Sequence, residues 1–258
     1  MTDEEKFLKR HFIDLARQAE SRSMYTYSGF LGLPEQSVLF SAGKDLSFIG
    51  WSLYGGSEAA ERQLAVFGSE KDFGYGPDYP IVIMEVKPSS EKYGEELSHR
   101  DYLGAILGLG IERELIGDII IKGKCAWFYA LESAADFLRE NLTEIRHTTV
   151  RCRLIGKASD DHPEIPELKP KLQELKINIA SERLDSIVAG FTGISRSHVT
   201  ELFSTKRVFV NGKITENYSK GLKEGDILNV RGFGKAVYCG ISGTSRKGRL
   251  YVILEKYV

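Results

Sequence analysis

Apolar residues follow three different patterns along the chain. In residues 1–79 they recur at helical spacing from Glu4 to about Arg22, which predicts an amphipathic helix. Pro34 predicts the first turn of a second, shorter helix. The apolar run Leu46–Leu53 predicts a strand, and after a glycine pair Ser57 to about Leu64 predicts a helix. Residues 1–79 are therefore predicted to form an N-terminal α/β segment.

Residues 80–155 alternate between strand-like and helix-like stretches. The predicted strands are Ile81–Val86, Asp118–Ile121, Cys125–Leu131 and Thr148–Leu154, and the predicted helices are Ser98–Leu109 and Ser133–Leu142. This β-α-β-β-α-β order is that of ferredoxin-like and RRM-like folds. Trp127 and Tyr129 share one face of the third strand, where exposed rings would stack on RNA bases and buried rings would fill the core.

Residues 156–177 contain three prolines and predict a linker followed by a strand that leads into the last domain. In residues 178–258, apolar side chains at helical spacing predict two short helices with one buried face each, around Ile187 and around Leu202. Asn211-Gly212 predicts a tight hairpin, because both central residues of that turn need positive φ. Two further strands are predicted at Ala236–Ile241 and Leu250–Tyr257. The fold class predicted for the whole chain is α+β.

Composition narrows the functional class. The chain has 258 residues, of which 42% are hydrophobic and 28% charged, as in ordinary soluble proteins. It has no apolar run of the roughly 18–20 residues that a membrane span needs, and its charged N-terminus lacks a secretory apolar core, so no membrane contact and a cytoplasmic location are predicted. Three scattered cysteines and five histidines show no metal-ligand spacing, so we expect buried free thiols and no metal.

Charge is distributed unevenly along the chain. The formal net charge is only -1, but residues 178–258 hold 13 Lys and Arg against 7 Asp and Glu, a net charge of +6. The remaining residues hold 22 basic and 29 acidic side chains, a net charge of -7. A basic C-terminal third on an acidic body predicts one surface for a polyanion.

The same C-terminal third carries a recognisable order of motifs. ERLDSIVAGFTGISRSH begins at Glu182, RVFVNGKI follows at Arg207, and KEGDILNVR ends at Arg231. This order resembles the S-four domain, an RNA-binding module named after a ribosomal protein of the small subunit. The resemblance implies an RNA-binding surface of two helices and a small sheet. The residues assigned to that surface are Arg183, Asp185, Ser195, Arg196, Ser197, Thr200, Lys206, Arg207, Asn211, Gly212, Lys213 and Arg231.

Three of these residues have more specific expectations. Ser195 precedes the second helix and is placed to be its N-cap, where helix N–H groups and Arg196 would meet a phosphate. Asp185 is expected to pair internally with a nearby Arg or backbone donor. Lys206 stands where the S-four family often has Gly, and in a left-handed conformation it would cost roughly 1 kcal/mol relative to Gly.

The rest of the chain resembles the YlmH family of bacterial S-four proteins. The resemblance is carried by FLGLPEQS (Phe30–Ser37), GGSEAAER (Gly55–Arg62), HRDYLGAILGLGIER (His99–Arg113) and IGDI (Ile116–Ile119). It implies a non-enzymatic protein without a cofactor that binds rRNA and tRNA on the large ribosomal subunit during rescue of stalled ribosomes. The resemblance leaves the oligomeric state open.

Two alternatives to this function remain open at this point. Some pseudouridine synthases carry an S-four domain and a catalytic Asp in a G-R-L-D motif, which Arg183-Leu184-Asp185 resembles, so an RNA-modifying enzyme is one alternative. An adaptor that links ribosomes to cell division, with the acidic N-terminal body as its docking face, is the other. His99-Arg100-Asp101 would suit a catalytic cluster, but neither a nucleophile nor a cofactor loop accompanies it, and capping of the helix is the simpler interpretation.

Overall fold

The computed structural model describes residues 2–57, 60–92, 94–160, 162 and 172–257, without the side chain of Arg196. The chain divides into two compact units, residues 1–169 and residues 170–258. The division falls inside the predicted linker at residues 156–177. Most of that linker, residues 161 and 163–171, lies outside the described residues.

The first unit begins with a helix-covered antiparallel sheet. Its elements are α1 (Asp3–Arg22), β1 (Thr26–Leu31), α2 (Leu33–Ser41), β2 (Trp51–Tyr54), β3 (Gln63–Phe67) and the short α3 (Glu70–Phe73), with sheet order β1-β3-β2. The predicted first helix and the helix opened by Pro34 are both confirmed. The strand β1 was not predicted, and the strand predicted at Leu46–Leu53 begins only at Trp51.

The helix predicted at Ser57–Leu64 is wrong over its described part. Residues 60–62 are not helical, and β3 already begins at Gln63. The physical reason is a long-range contact: the carboxylate of Asp118 accepts hydrogen bonds from the backbone N–H groups of Glu61 (2.6 Å) and Arg62 (3.2 Å). These two N–H groups therefore donate to the side chain of Asp118 in β5 instead of to the carbonyl of a preceding helical turn.

The central part of the first unit has the predicted element order. It comprises β4 (Ile81–Pro88), α4 (His99–Gly108), a 3-10 turn (Arg113–Leu115), β5 (Ile116–Lys122), β6 (Cys125–Leu131), α5 (Glu132–Asn141), β7 (Glu144–Ile145) and β8 (Thr148–Lys157). The strands form one antiparallel sheet in the order β5-β6-β4-β8-β7, which is the ferredoxin-like order with a short edge strand added. Ser98 caps α4 as predicted, whereas α5 is capped by Leu131 and starts before Ser133.

The two faces of this central sheet are buried by different elements. On one face, Met84 and Phe128 pack with Tyr102 of α4 and Leu138 of α5. On the other face, Trp127 (6% exposed) and Tyr129 (2% exposed) pack in a separate core with the N-terminal residues Phe30 and Leu64. The proposal that Trp127 and Tyr129 stack on RNA bases is therefore wrong, and the core-filling alternative is confirmed.

The second unit is a six-stranded antiparallel sheet with two helices on one side. It comprises β9 (Leu172–Ile179), α6 (Leu184–Thr192), α7 (Arg196–Ser204), β10 (Val208–Val210), β11 (Lys213–Ile214), β12 (Ile227–Val230), β13 (Gly234–Thr244) and β14 (Leu250–Tyr257). The strand order is β11-β10-β12-β13-β14-β9. Ile187 of α6 and Leu202 of α7 pack on Val208 and Val230, so the predicted buried helix faces are confirmed.

The described helices and the cysteines bear on the membrane and thiol predictions. No described helix is both long enough and apolar enough to cross a bilayer. The three cysteines are free, as predicted. Burial was predicted for all three, and it holds for Cys152, whereas Cys125 is half-buried and Cys239 is exposed.

Candidate nucleic-acid interface

The N-terminus of α7 presents polar groups to solvent. Ser195 occupies the N-cap position as predicted, with an extended backbone (φ -68°, ψ 157°). Its hydroxyl does not cap a backbone N–H among the described residues; it lies 2.9 Å from the Ser197 hydroxyl and 2.9 Å from Nδ1 of His198. Ser195, Ser197, His198 and Thr200 are all exposed, and Thr200 has a polar partner of its own. The first turn of α7 therefore offers backbone donors, hydroxyls and an imidazole side by side.

The C-terminus of α7 ends in a Schellman motif that places Lys206 in a left-handed conformation. The N–H of Arg207 donates to the carbonyl of Leu202 (2.8 Å), and the N–H of Lys206 donates to the carbonyl of Phe203 (3.0 Å). Lys206 has φ +54°, so it does adopt the left-handed conformation that was considered for this position. The motif turns the chain sharply into β10 and leaves Lys206 exposed.

Arg207 and Arg231 lie together at one end of the β10–β12 pair. The N–H of Arg231 donates to the carbonyl of Arg207 (2.9 Å), and the guanidinium of Arg207 donates to the carbonyl of Arg231 (2.7 Å). Gly232, with φ +93°, makes room for this contact, because a Cβ there would lie 2.7 Å from the Arg207 guanidinium. Arg207 is thus only half-buried and partly occupied in holding the turn, while Arg231 is exposed.

The predicted Asn-Gly hairpin is present between β10 and β11. Asn211 has φ +52° and Gly212 has φ +73°, as the tight turn requires. The amide of Asn211 donates to the carboxylate of Asp226 (2.8 Å) and accepts from the N–H of Ile227 (2.8 Å). The side chain of Asn211 therefore fixes the hairpin to the neighbouring turn, and the exposed Lys213 follows directly after it.

Arg183 is engaged inside the unit. Its guanidinium donates two hydrogen bonds to Asp185, at 3.2 and 3.1 Å, and lies over the ring of Tyr218 at 5.8 Å. The expectation that Asp185 pairs internally is confirmed, and Arg183 is its partner, while 45% of the Arg183 side chain remains exposed. Backbone carbonyls of Tyr218 and Lys220 accept from the first N–H groups of α6, so this helix start is already occupied.

The structure thus separates eleven of the twelve predicted residues into two groups. Exposed residues are Ser195, Ser197, Thr200, Lys206, Lys213 and Arg231, of which Thr200 and Lys213 have polar partners of their own. Residues that hold the local structure are Arg183, Asp185, Arg207, Asn211 and Gly212. Arg196 is the first residue of α7, and its side chain lies outside the described part of the chain. Since β10 has only three residues, Arg207 and Lys213 are separated by roughly 10 Å of strand.

Two residues of this surface were missed by sequence reasoning. His198 was considered only as a metal ligand, although its position three residues after an N-cap Ser is a usable signal. Tyr218 is 48% exposed and packs edge-on against Phe203 at 6.1 Å between ring centroids. No periodicity marks Tyr218, because it lies in a loop.

The His99-Arg100-Asp101 cluster acts as a helix cap. The Asp101 carboxylate accepts from the N–H (2.8 Å) and the hydroxyl (2.7 Å) of Ser98, so the capping interpretation is confirmed. His99 lines a cleft of about 370 Å³ with Asp118 and Tyr129. Burial and the positive charge of Arg113 lower the pKa of His99, which favours the neutral imidazole. No three described His, Cys, Asp or Glu side chains are grouped so that they would hold a metal ion.

Comparisons with known proteins place the chain in an RNA-binding class of protein. Residues 76–158 match the family model described as the putative RNA-binding domain in YlmH. Over 252 residues, the chain is 28% identical to Ribosome-associated protein quality control protein P2 of Bacillus subtilis (strain 168), covering 96% of this chain and 95% of that protein. The resemblance to the YlmH family that the sequence predicts is confirmed by these two matches. Neither match tests the S-four domain.

A solved structure supports the fold. Cell division protein ylmH from Streptococcus pneumoniae superposes with a TM-score of 0.50 at 17% identity, covering 60% of this chain and 93% of that one. At this identity the likeness concerns the fold alone. It agrees with the α+β architecture described above.

Proposed function

We propose that this chain is a non-enzymatic RNA-binding protein of the cytoplasm that acts on the large ribosomal subunit in the rescue of stalled ribosomes. In this proposal it binds rRNA and tRNA through an S-four domain at residues 178–258. The observation that carries the proposal is the match over nearly the full length of both chains to a protein named for ribosome-associated quality control. The match of residues 76–158 to an RNA-binding domain model supports it independently.

The C-terminal surface has the chemistry for phosphate contacts. Lys206, Lys213 and Arg231 are exposed cations on three short connected elements, and the N-terminal turn of α7 adds unpaired helix N–H groups. Arg231 provides a planar fork of donors suited to phosphate. Because these contacts are made with the phosphates of the RNA backbone and not with base edges, the RNA affinity would depend steeply on salt concentration.

Sedimentation with purified large ribosomal subunits tests this proposal. We expect the full-length protein to migrate with the subunits at about 50 mM salt and to dissociate at high salt, since each phosphate contact releases roughly 0.7–0.9 counterions. Absence from the subunit fractions at both salt concentrations would refute the ribosomal role.

A double variant tests the assigned surface. Arg196→Gln combined with Lys213→Gln removes two positive charges and should lower the slope of log K against log salt by roughly 1.4–1.8. The matched control is Arg100→Gln with Arg139→Gln, which removes two exposed charges from helices of the first unit. If the Arg196/Lys213 variant bound as tightly as the parent, the C-terminal surface would be assigned wrongly even though the protein binds RNA.

The structure gives no particular support to the enzymatic alternative. Asp185, which would correspond to the catalytic Asp of a pseudouridine synthase, receives two hydrogen bonds from Arg183 and one from the N–H of Ser186. Its carboxylate is therefore occupied in holding the start of α6. Nucleoside analysis of rRNA incubated with the protein would reveal pseudouridine if this assignment of Asp185 were mistaken.

A further inference from the structure

The central sheet of the first unit has one face that is only partly covered. On that face, Tyr129 and Ile83 pack against the N-terminal residues Phe30 and Leu64. Further along the same strands, the side chains on this face include four exposed cations beside the buried Trp127 and Glu85. The packed end explains why aromatic rings on this sheet are unavailable for base stacking, and the cation-bearing end has different chemistry.

Two cross-strand rows make up this cation-bearing end. In the first row, Ile120 pairs with Trp127, Trp127 pairs with Glu85, and Glu85 pairs with Arg153. In the second row, two residues further along each strand, Lys122 pairs with Cys125 and Lys87 pairs with Arg151. Because side chains alternate between faces with a period of two, both rows lie on the same side of the sheet. These eight residues are called the open sheet face below.

The open sheet face concentrates positive charge. Residues 76–158 contain 13 acidic and 11 basic residues, so the domain as a whole is slightly acidic. The open sheet face nevertheless carries four exposed cations, Lys87, Lys122, Arg151 and Arg153, against the single carboxylate of Glu85. This separation of charge within one domain is what a polyanion would recognise.

Glu85 orders two of these cations. Its carboxylate is 3% exposed and is bonded by the guanidinium of Arg153 and by the ammonium of Lys87, the latter at 2.8 Å. Burial alone would raise the pKa of Glu85, but the hydrogen bonds from Arg153 and Lys87 lower the pKa below its ordinary value. The carboxylate therefore stays ionised and fixes both cations on a rigid strand pair, with three net positive charges remaining on the face.

The other two cations and the indole have unused donors. The side chains of Lys122 and Arg151 make no hydrogen bond or ion pair with any residue that the structure describes. The indole N–H of Trp127, in the middle of the first row, is buried and has no acceptor within the described residues.

We propose that the open sheet face is a second RNA-contact surface, which binds the sugar–phosphate backbone. This inference rests on the proposed RNA-binding function and places contacts in the domain that matches the RNA-binding family model. Lys122 lies on β5 and Arg151 on β8, at the two ends of the rows. Lys87 on β4 lies between them and Arg153 lies beside Arg151 on β8, so the four cations can contact several phosphates at once. Strand-mounted cations lose little conformational freedom on binding, which favours backbone contact over a flexible basic tail.

Binding of the full-length protein to purified large-subunit rRNA, measured by fluorescence anisotropy between 0.1 and 0.5 M salt, tests the inference. The variant is Lys122→Gln with Arg151→Gln, and the matched control is Arg100→Gln with Arg139→Gln on the helices that cover the opposite sheet face. If two phosphate contacts are lost and binding at 1 M salt is unchanged, affinity falls roughly 25-fold at 0.1 M and only about threefold at 0.5 M. The control should change affinity less than twofold.

The outcomes separate this inference from the proposed function. One outcome would overturn the open sheet face and leave the proposed function standing. In it, the Lys122/Arg151 variant and the control both bind RNA with wild-type affinity, while the Arg196/Lys213 variant binds more weakly. No RNA binding by the wild-type protein would overturn both. Photo-crosslinking of the wild-type complex provides a direct second readout: crosslinked peptides from β5, β6 or β8 support the surface, and crosslinks confined to residues 172–257 refute it.

Discussion

Lys206 gives a prediction in which stability and RNA affinity move in opposite directions. Its backbone is left-handed, with φ +54°, at the position after α7 where glycine is usually found. An L-residue in this conformation costs roughly 1–2 kcal/mol, whereas glycine adopts it freely and loses about 0.4–1 kcal/mol more entropy on folding. Lys206→Gly should therefore stabilise the second unit by about 0.5–1 kcal/mol.

The matched variant is Lys206→Ala, which removes the same charge and keeps the backbone cost. Both variants lose one phosphate contact on the proposed surface, so both should bind RNA roughly five- to eightfold more weakly at 0.1 M salt. Only the Gly variant should gain stability. The pair thus separates the effect of the charge from the effect of the backbone at one residue.

Hydrogen exchange measures the stability of the second unit inside the full chain. Both tryptophans, Trp51 and Trp127, lie in residues 1–169, so their fluorescence reports only on the first unit. We expect the slowest amides of β12, β13 and β14 to exchange roughly two- to fivefold more slowly in the Gly variant than in the Ala variant. Equal exchange in the two variants would show that the left-handed backbone carries no such cost, and unchanged RNA affinity would remove Lys206 from the interface.

Two further predictions concern side-chain hydrogen bonds. Asn211→Ala removes the bonds to Asp226 and Ile227 and should destabilise the hairpin by roughly 2 kcal/mol, seen as faster exchange in β10; unchanged exchange would contradict the fixing role of the amide. For Glu85, the lowered pKa means that its stabilisation is complete above the ordinary value of 4.5 and is lost as pH falls through the folded pKa. Tryptophan fluorescence should therefore show a weaker loss of stability below pH 4.5 in Glu85→Gln than in the wild type, and parallel curves would contradict this.

Elements set by local patterns were predictable from the sequence. The strands and helices of the central sheet are marked by apolar runs and by a capping Ser98, and their order appeared as expected. The stretch before β3 was not predictable, because Ser57–Arg62 consists of residues that favour a helix. Its backbone is held by Asp118, which lies 57 residues away from Glu61 in the sequence. A single sequence carries no local trace of such a contact.

The candidate interface shows the same division between local and long-range information. The Asn-Gly turn and the position of Ser195 follow from residue preferences at neighbouring positions. The occupation of Arg183 depends on Tyr218, which a loop brings back to the start of α6, and the occupation of Arg207 depends on a carbonyl 24 residues later. Sequence motifs therefore located the surface but did not distinguish the cations that face solvent from those that hold it together.

That distinction has a consequence for RNA binding. The side chains of Asn211 and Arg207 are bonded to neighbouring turns. The exposed Lys213 follows directly after the Asn211-Gly212 turn, and the carbonyl of the exposed Arg231 accepts the hydrogen bond from Arg207. A cation presented from a rigid turn loses less freedom on binding than one on a loose loop, so on the proposed surface the internal bonds would raise affinity without touching RNA. Asn211→Ala should then weaken RNA binding through faster dissociation at every salt concentration. Lys213→Gln should instead weaken binding mainly at low salt, because it removes a phosphate contact.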